Sequence, residues 1–390
     1  MDWPKTTIDR IPASRFRPPH CPWRNCPSNR SSVAFRYNRV GYYSRNCDRR
    51  TIPRFRCKIC NEGFSQQTFS LTYYLKKPHL LARIAPAMVA CSAARQIARS
   101  LGCSHTTVVD QGNRIGRHAL LLHSLCLDKL ARIREKLVFD HAEMFEYCQE
   151  RGLGVGTAVG QKSWFLYTLD PVVHRMGGEM TPGRLKRLKK MELKHGRVPA
   201  GSYRASTERA ITQLLAKVPT GELLHLVTDG KPEYQVAAKK YVEVGRLHHE
   251  TYPNPPRRRK HETKSDAARE RDRAMFPVDH AHKMIRHSNA NHKRETIAHG
   301  RRANSILLRL FVYQVWKNLA KDQSERSPRG QTPAMEVGLL DRFLDWRQIL
   351  GRRLFPWRQK LSAMEKKLYT MAMVTPAVGR NRLHDLINAF

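Results

Sequence analysis

Two apolar runs of this chain each carry a carboxylate, the side chain that hard divalent cations prefer as a protein ligand. The first run, residues 136–147, contains an apolar strand that is expected to end at Asp140. The second run, residues 223–230, contains Asp229 at the end of its apolar part. The chain has 71 Lys and Arg against 33 Asp and Glu, so acids at the ends of apolar strands indicate more than surface charge. We interpret them as a metal site that acts on nucleic acid.

A third acid is needed because two-metal phosphodiester chemistry places two ions about 3.5–4 Å apart. Each Mg²⁺ usually takes one or two carboxylates, so about three acids must meet from distant positions. Glu295 lies in a segment, residues 288–319, that predicts a long helix. Asp140, Asp229 and Glu295 are therefore candidate catalytic ligands of two Mg²⁺ (or Mn²⁺) ions. The alternatives are a strand-end hydrogen bond, a turn and a helix-dipole partner, respectively.

Two close cysteine pairs predict a structural zinc site. Cys21 and Cys26 precede a short basic stretch that ends in Cys57 and Cys60, and four thiolates complete the tetrahedral shell of Zn²⁺. Such a site stabilises a small segment that lacks a large core. Cys47 lies between the pairs and could replace a ligand, and reduced, unligated thiols are the alternative. Nine cysteines, unevenly spaced, do not fit a disulfide framework.

A helix-turn-helix pattern follows the cysteines. Apolar residues recur at positions 94, 97, 98 and 101, Gly102 supplies a turn, and Ser104 is a typical N-cap for a second helix. That second helix would offer four polar side chains to a major groove: Ser104, His105, Thr106 and Thr107. An ordinary helical hairpin fits the same pattern. A separate connecting helix is expected over about residues 115–134.

The charge of the chain favours a polyanionic partner. The formal net charge is +38, and a field of that sign attracts nucleic acid. Residues 183–197 predict a basic amphipathic helix whose Arg184, Lys186 and Arg187 could track DNA phosphates. A membrane is a weaker alternative because no apolar segment reaches the roughly 18 residues of a spanning helix. With no signal-peptide pattern at the N-terminus, we expect a cytoplasmic protein.

The remaining elements suggest an α/β fold with several parts. Extended runs at residues 154–159 and 163–169 predict a meander, with the intervening glycines in a hairpin rather than a phosphate loop, and a helix over about 205–217 precedes the Asp229 strand. The predicted parts are a disordered arm (1–19), a zinc ribbon (20–75), a helix-turn-helix with its connecting helix (76–131), a catalytic domain (132–320) and a basic helical region (321–390).

Several of these motifs together resemble bacterial insertion-sequence transposases of the DDE class, over about residues 20–320. The motifs are RFRCKIC (54–60), FDHAEMFEY (139–147), TD (228–229) and NHKRETIA (291–298), of which RETIA (294–298) is the most specific part. The resemblance implies a ribonuclease H-like catalytic domain in which Asp140, Asp229 and Glu295 hold Mg²⁺ for DNA strand cleavage and strand transfer. It also implies that double-stranded DNA is the partner, at element ends and at the target, in the nucleoid.

Two points stay open at this stage. His141 occupies a position where some relatives would have an acid, so Glu143 or Glu146 could assist. Bringing two DNA ends together makes a homodimer or larger assembly the expected state on DNA. The alternative functions are a non-catalytic DNA-binding regulator or relict transposase, and a nuclease on the same fold that cleaves without joining.

Overall fold

The computed structural model describes residues 1, 3–4, 6–30, 35–256, 261–293, 296–326, 328 and 330–379. Its strands are β1 (Tyr37–Ser44), β2 (Thr51–Cys57), β3 (Gly63–Ser65), β4 (Leu137–Phe145), β5 (Arg151–Gly160), β6 (Asp170–Arg175), β7 (Leu224–Thr228) and β8 (Leu247–Thr251). Its α-helices are α1 (Leu81–Val89), α2 (Ala94–Ser100), α3 (His105–Lys129), α4 (Pro182–His195), α5 (Ser202–Leu215), α6 (Pro232–Glu243), α7 (Asp266–Ser288), α8 (Ala303–Leu319), α9 (Pro333–Glu336), α10 (Trp346–Ile349) and α11 (Ala363–Tyr369).

A mixed five-stranded sheet lies at the centre, in the order β6-β5-β4-β7-β8. Strands β4, β5 and β6 form an antiparallel meander, whereas β4, β7 and β8 run parallel. Successive side chains of a strand point to opposite faces. On β4, Phe139 and His141 face α5 and α6, and Asp140 faces α7. The sheet is therefore covered by helices on both faces.

The glycines of β5 allow side chains of its neighbours to approach its backbone closely. A Cβ at Gly156 would lie 2.9 Å from the Phe139 ring, and one at Gly152 would lie 2.5 Å from the His174 ring. All ten residues of β5 are buried. The glycine-rich segment thus belongs to an antiparallel strand, as the hairpin interpretation predicted.

The helices α1, α3 and α8 form a second layer around a shared apolar core. At Gly116 of α3 the helices α3 and α8 approach each other closely, since a Cβ there would lie 2.6 Å from the carbonyl oxygen of Leu308 in α8. The helix α3 is one continuous element of 25 residues. The expected recognition helix and the expected connecting helix are therefore the same helix. None of the helices formed by the described residues is both long and apolar enough to cross a membrane.

The segment expected to form one long helix from residue 288 to 319 does not do so. Helix α7 ends at Ser288 and α8 begins at Ala303. The charged residues before this segment form the start of α7, where Ser265 caps the helix by accepting a hydrogen bond of 3.2 Å from the backbone N–H of Ala268. The run at 163–169 holds only an isolated bridge, and β6 begins at Asp170.

The two ends of the described chain pack together, in contrast to the expected disordered arm. Trp3 and Phe16 are 1% and 2% exposed. The Trp3 indole donates a hydrogen bond of 2.7 Å to the carbonyl of Gln348, and Arg342 donates one of 2.6 Å to the carbonyl of Trp3. The α-helices formed by the described residues from 321 to 379 are short, and apolar side chains of this region share one core with Trp3. Burial of the large aromatic side chains of Trp3 and Phe16 explains why the N-terminal segment is ordered.

Candidate functional site

The carboxylates of Asp140 and Asp229 lie on neighbouring parallel strands. Leu137 pairs with Leu226 and Val138 with Val227, so the same register places Asp229, which directly follows β7, beside Asp140. Asp140 is inside β4, not at its end as expected, because β4 continues to Phe145 through its pairing with β5. Asp140 therefore lies just beyond the residues of β4 that pair with β7, in the part of β4 that pairs with β5.

The Asp140 carboxylate is held in a largely buried environment. The Tyr234 hydroxyl donates a 3.0 Å hydrogen bond to its Oδ1, and His282 Nδ1 lies 3.8 Å from its Oδ2. Burial, the charge of Asp229 and, to a smaller extent, the charge of Asp279 together raise the pKa of Asp140 to about 7. A cation at this position would relieve both effects.

Tyr234 of α6 links Asp140 to His141. Its hydroxyl accepts hydrogen bonds from the His141 backbone N–H at 3.2 Å and from His141 Nδ1 at 2.8 Å while it donates to Asp140. His141 Nε2 lies 3.1 Å from Ser206 Oγ on α5. Burial holds the pKa of His141 well below its usual value, so the ring is neutral. His141 thus supports the tyrosine from the opposite face of the sheet.

Asp229 is oriented by the turn that follows β7. The backbone N–H of Lys231 donates to Oδ1 at 3.1 Å, and the side-chain amide of Asn254 donates to Oδ2 at 2.9 Å. Gly230 adopts φ +78°, a left-handed conformation that favours glycine. Each oxygen of this half-buried carboxylate keeps acceptor capacity beyond its one hydrogen bond.

Helix α7 brings a further acid that the sequence interpretation missed. Asp279 raises the pKa of Asp140, and His282, one turn later, approaches the same carboxylate. Asp279 itself forms an ion pair with Arg271, two turns earlier on α7. The signal in the sequence was the helical spacing of Met275, Val278, His282 and Ile285, a buried stripe that Asp279 borders. Glu295, the predicted third acid, lies outside the described residues.

The two acids considered as substitutes have other partners. Glu146 is fully buried, accepts hydrogen bonds from Arg151 at 3.0 and 3.1 Å, and accepts a third from Thr375 at 2.6 Å. Glu143 lies on the α5 side of β4 and accepts a hydrogen bond of 2.9 Å from Tyr203. Glu146 therefore stabilises the end of β4, and Glu143 faces away from Asp140.

The four cysteines form a compact cluster. Cys21 Sγ lies 3.7 Å from Cys60 Sγ, and Cys26 Sγ lies 3.7 Å from Cys57 Sγ. A zinc–sulfur bond of about 2.3 Å places tetrahedral sulfur ligands about 3.8 Å apart, so the spacing suits Zn²⁺. The cluster packs against aromatic rings, among them Phe55. The group could hold a structural zinc ion; Cys47 is exposed and outside it.

Donor atoms of three or more residues lie within 4.8 Å of one another at two places in the described chain. One is the cysteine cluster, and the other is formed by His225, His248 and Glu250. The acids around Asp140 are not among these sets.

The turn between α2 and α3 presents the polar residues expected to contact DNA. Ser104 caps α3 by accepting a hydrogen bond of 3.1 Å from the backbone N–H of Thr107. Ser104, His105 and Thr106 are exposed, and Thr107 is half-buried. Gly102 adopts φ +58° in the turn. The surface depression beside the turn is lined by cationic side chains, namely Lys77, Arg95 and Arg99.

The basic helix α4 coincides with its predicted position. Leu188 anchors the helix and is 3% exposed. Lys186 is exposed, Arg184 is half-buried, and Arg187 donates a hydrogen bond of 2.8 Å to Glu150. Lys186 is therefore the freest of the three predicted phosphate contacts.

Comparison with known proteins places this chain in no established group: no family model matches it, and no curated protein shows significant similarity to it.

Proposed function

We propose that this protein is a DNA transposase that binds the ends of its insertion sequence and carries out Mg²⁺-dependent strand cleavage and strand transfer. We further propose that the β4–β8 sheet and its helices form a ribonuclease H-like catalytic domain. The strand order β6-β5-β4-β7-β8, with an antiparallel meander followed by two parallel strands, supports that assignment.

The observation that carries the proposal is the pair of carboxylates on adjacent parallel strands. Asp140 and Asp229 supply hard oxygen donors, and the pKa of Asp140, raised to about 7, reflects concentrated negative charge at a buried position. Asp279 of α7 is our candidate for the third acid, in place of or together with Glu295. These donors fit Mg²⁺ once Arg271 releases Asp279.

Each residue of the site then has a distinct task. Two Mg²⁺ ions bound to the acids would activate the attacking oxygen and stabilise the leaving oxygen of the phosphodiester. Tyr234 fixes Oδ1 of Asp140, and Asn254 with the Lys231 backbone N–H fixes Asp229. Asp140 has to lose its proton before it can serve as a ligand.

The rest of the chain supplies DNA-binding surfaces. The net charge of +38 favours phosphate contacts and counterion release. The first turn of α3 exposes Ser104, His105 and Thr106 next to cationic side chains, and Lys186 of α4 is free to contact a phosphate. We propose that the zinc-stabilised β1–β3 module adds a further contact and that a dimer or larger assembly holds two DNA ends in the nucleoid.

A cleavage and joining assay tests this function. DNA fragments taken from both flanks of the gene are incubated with the full chain and supercoiled plasmid, with Mg²⁺, Mn²⁺ or Ca²⁺. We expect nicked ends and joined products with Mg²⁺ or Mn²⁺, and none with Asp229→Asn, whose DNA binding is retained. Asp266→Asn, an exposed acid at the start of α7, is the matched control and should remain active.

Three other results would each replace the proposal. Specific binding without cleavage in any metal would indicate a DNA-binding regulator or relict transposase. Cleavage without joined products would indicate a nuclease on the same fold. Full activity of Asp229→Asn would remove the carboxylate pair from the mechanism.

A further inference from the structure

Three potential metal ligands lie together on one face of β7 and β8, near the edge of the sheet. His225 of β7 pairs with His248 of β8 in the parallel register, so both side chains project from the same face. Glu250 follows His248 by two residues and therefore shares that face. Both histidines are exposed, and Glu250 is half-buried.

The distances among these side chains suit a divalent transition metal. His248 Nε2 lies 3.3 Å from Glu250 Oε1, and the two imidazole centroids are 5.2 Å apart. Donor atoms of all three residues lie within 4.8 Å of one another. Metal–nitrogen bonds of about 2.0–2.1 Å place neighbouring tetrahedral ligands about 3.4 Å apart, so small side-chain rotations complete the geometry.

Lys136 competes with a cation for the carboxylate. Its ammonium nitrogen lies 2.7 Å from Glu250 Oε1, and the hydroxyl of Tyr252 lies 3.4 Å from Oε2. The Lys136 side chain is 43% exposed, and an ion pair so open to solvent is weak. A metal ion that also binds two imidazoles can displace it.

We propose that His225, His248 and Glu250 bind a divalent transition-metal ion, such as Zn²⁺ or Ni²⁺, that clamps the edge strand β8 to β7. Imidazole with one carboxylate selects this class over Mg²⁺. Asp229 lies four positions after His225, which corresponds to about 13 Å of extended strand. The site is thus separate from the acids at the other end of β7, and it does not depend on the proposed function.

The test is calorimetric titration of NiCl₂ into the full chain with its cysteine cluster filled by zinc and with excess Mg²⁺ present. We expect one Ni²⁺ ion per chain, and His225→Gln or His248→Gln should weaken binding by at least about tenfold. Lys136→Gln should tighten it severalfold, because it removes the competing ammonium. His261→Gln, an exposed histidine elsewhere, is the matched control and should bind like the unaltered protein.

Hydrogen exchange supplies a second measurement that does not rely on affinity alone. Bound Ni²⁺ should slow amide exchange in β8, and this protection should disappear in His248→Gln. Ni²⁺ affinity that is unchanged in both histidine variants, or exchange in β8 that is unaffected by saturating Ni²⁺, would overturn the proposal. Circular dichroism of each variant confirms that it is folded before the titrations are compared.

Discussion

Asp140 and Asp229 occupy equivalent positions on two parallel strands. The register that pairs Val138 with Val227, continued by two residues, sets one acid beside the other. Burial and this second charge together raise the pKa of Asp140 to about 7. Two carboxylates held in this way repel each other unless a proton or a cation lies with them.

Replacing Asp140 by Asn should change stability in a pH-dependent way. The pKa of Asp140 is about 7 in the folded chain, above its ordinary value of 3.8. The folded chain therefore holds this proton more tightly than the unfolded chain, and the resulting stability is full at low pH and is lost as pH rises toward 7. Without Mg²⁺, Asp140→Asn should therefore gain stability relative to the unaltered chain between pH 5.5 and pH 8. We expect this gain to grow by about 1–2 kcal/mol between the two pH values, because at pH 5.5 part of the effect of a pKa raised from 3.8 to about 7 is already present.

Urea denaturation at pH 5.5 and pH 8 measures this difference. Asp266→Asn serves as the control, since that carboxylate is 97% exposed and should give the same stability difference at both pH values. An Asp140→Asn difference that does not grow with pH would contradict the account of two crowded acids.

Tyr234→Phe should shift the pH dependence of metal binding. The hydrogen bond from Tyr234 to Asp140 Oδ1 favours the ionised carboxylate, and the variant lacks it. The pH at half-maximal Mn²⁺ binding should rise by about one unit, and stability should fall by about 1–3 kcal/mol because His141 loses its acceptor. Tyr241→Phe on the same helix, whose hydroxyl contacts Thr212, is the control and should leave the pH profile in place.

Arg271→Gln should strengthen Mn²⁺ binding. The guanidinium of Arg271 pairs with Asp279, and its removal frees that carboxylate to join Asp140 and Asp229. We expect a severalfold lower Kd by calorimetry. Arg269→Gln, which removes a surface pair with Asp266, should have no effect. Unchanged binding in Arg271→Gln would argue against Asp279 as the third ligand.

Cys57→Ser should abolish zinc binding and unfold the β1–β3 module. The four thiolates would hold the ion, and a module of this size would depend on it for stability. Metal analysis should give one zinc ion fewer per chain for the variant than for the unaltered protein. Cys47→Ser removes an exposed thiol and should retain the zinc. Zinc loss in Cys47→Ser would instead assign Cys47 as a ligand.

Lys186→Ala should weaken DNA binding uniformly across sequences. The free ammonium of Lys186 can neutralise one phosphate, so the slope of log K against log salt should become shallower by about 0.9. Arg187→Ala should have a smaller effect because Glu150 already holds that guanidinium. Filter binding at several salt concentrations distinguishes the two. Equal slopes for Lys186→Ala and the unaltered chain would remove α4 from the DNA interface.

Local patterns predicted several elements well. The cysteine spacing identified four residues that the fold brings together, and N-cap chemistry placed the start of α3 at Ser104. The basic helix at residues 183–197 coincides closely with α4. The runs containing Asp140 and Asp229 form strands, and their common register is a tertiary property that no local pattern contains.

The elements that were not predicted depend on long-range packing. Helix α7 has Pro277 in its interior and many charges along its length, both of which weaken a helical signal, yet burial of Met275 and Ile285 against the sheet stabilises it. The N-terminal segment is polar and rich in proline, but its Trp3 side chain is buried and donates a hydrogen bond to Gln348, more than three hundred residues away. Contacts of that kind are not encoded within a short window.

The aromatic cluster around the cysteines includes Phe355, whose ring lies 5.9 Å from that of Phe69. Arg353 also donates a backbone hydrogen bond of 2.7 Å to the carbonyl of Phe69. The β1–β3 module is synthesised first, but its apolar core includes Phe355, which is synthesised near the end of the chain. A nascent chain that already contains every proposed catalytic acid would still lack Phe355, and completion of the amino-terminal core would therefore come late in translation.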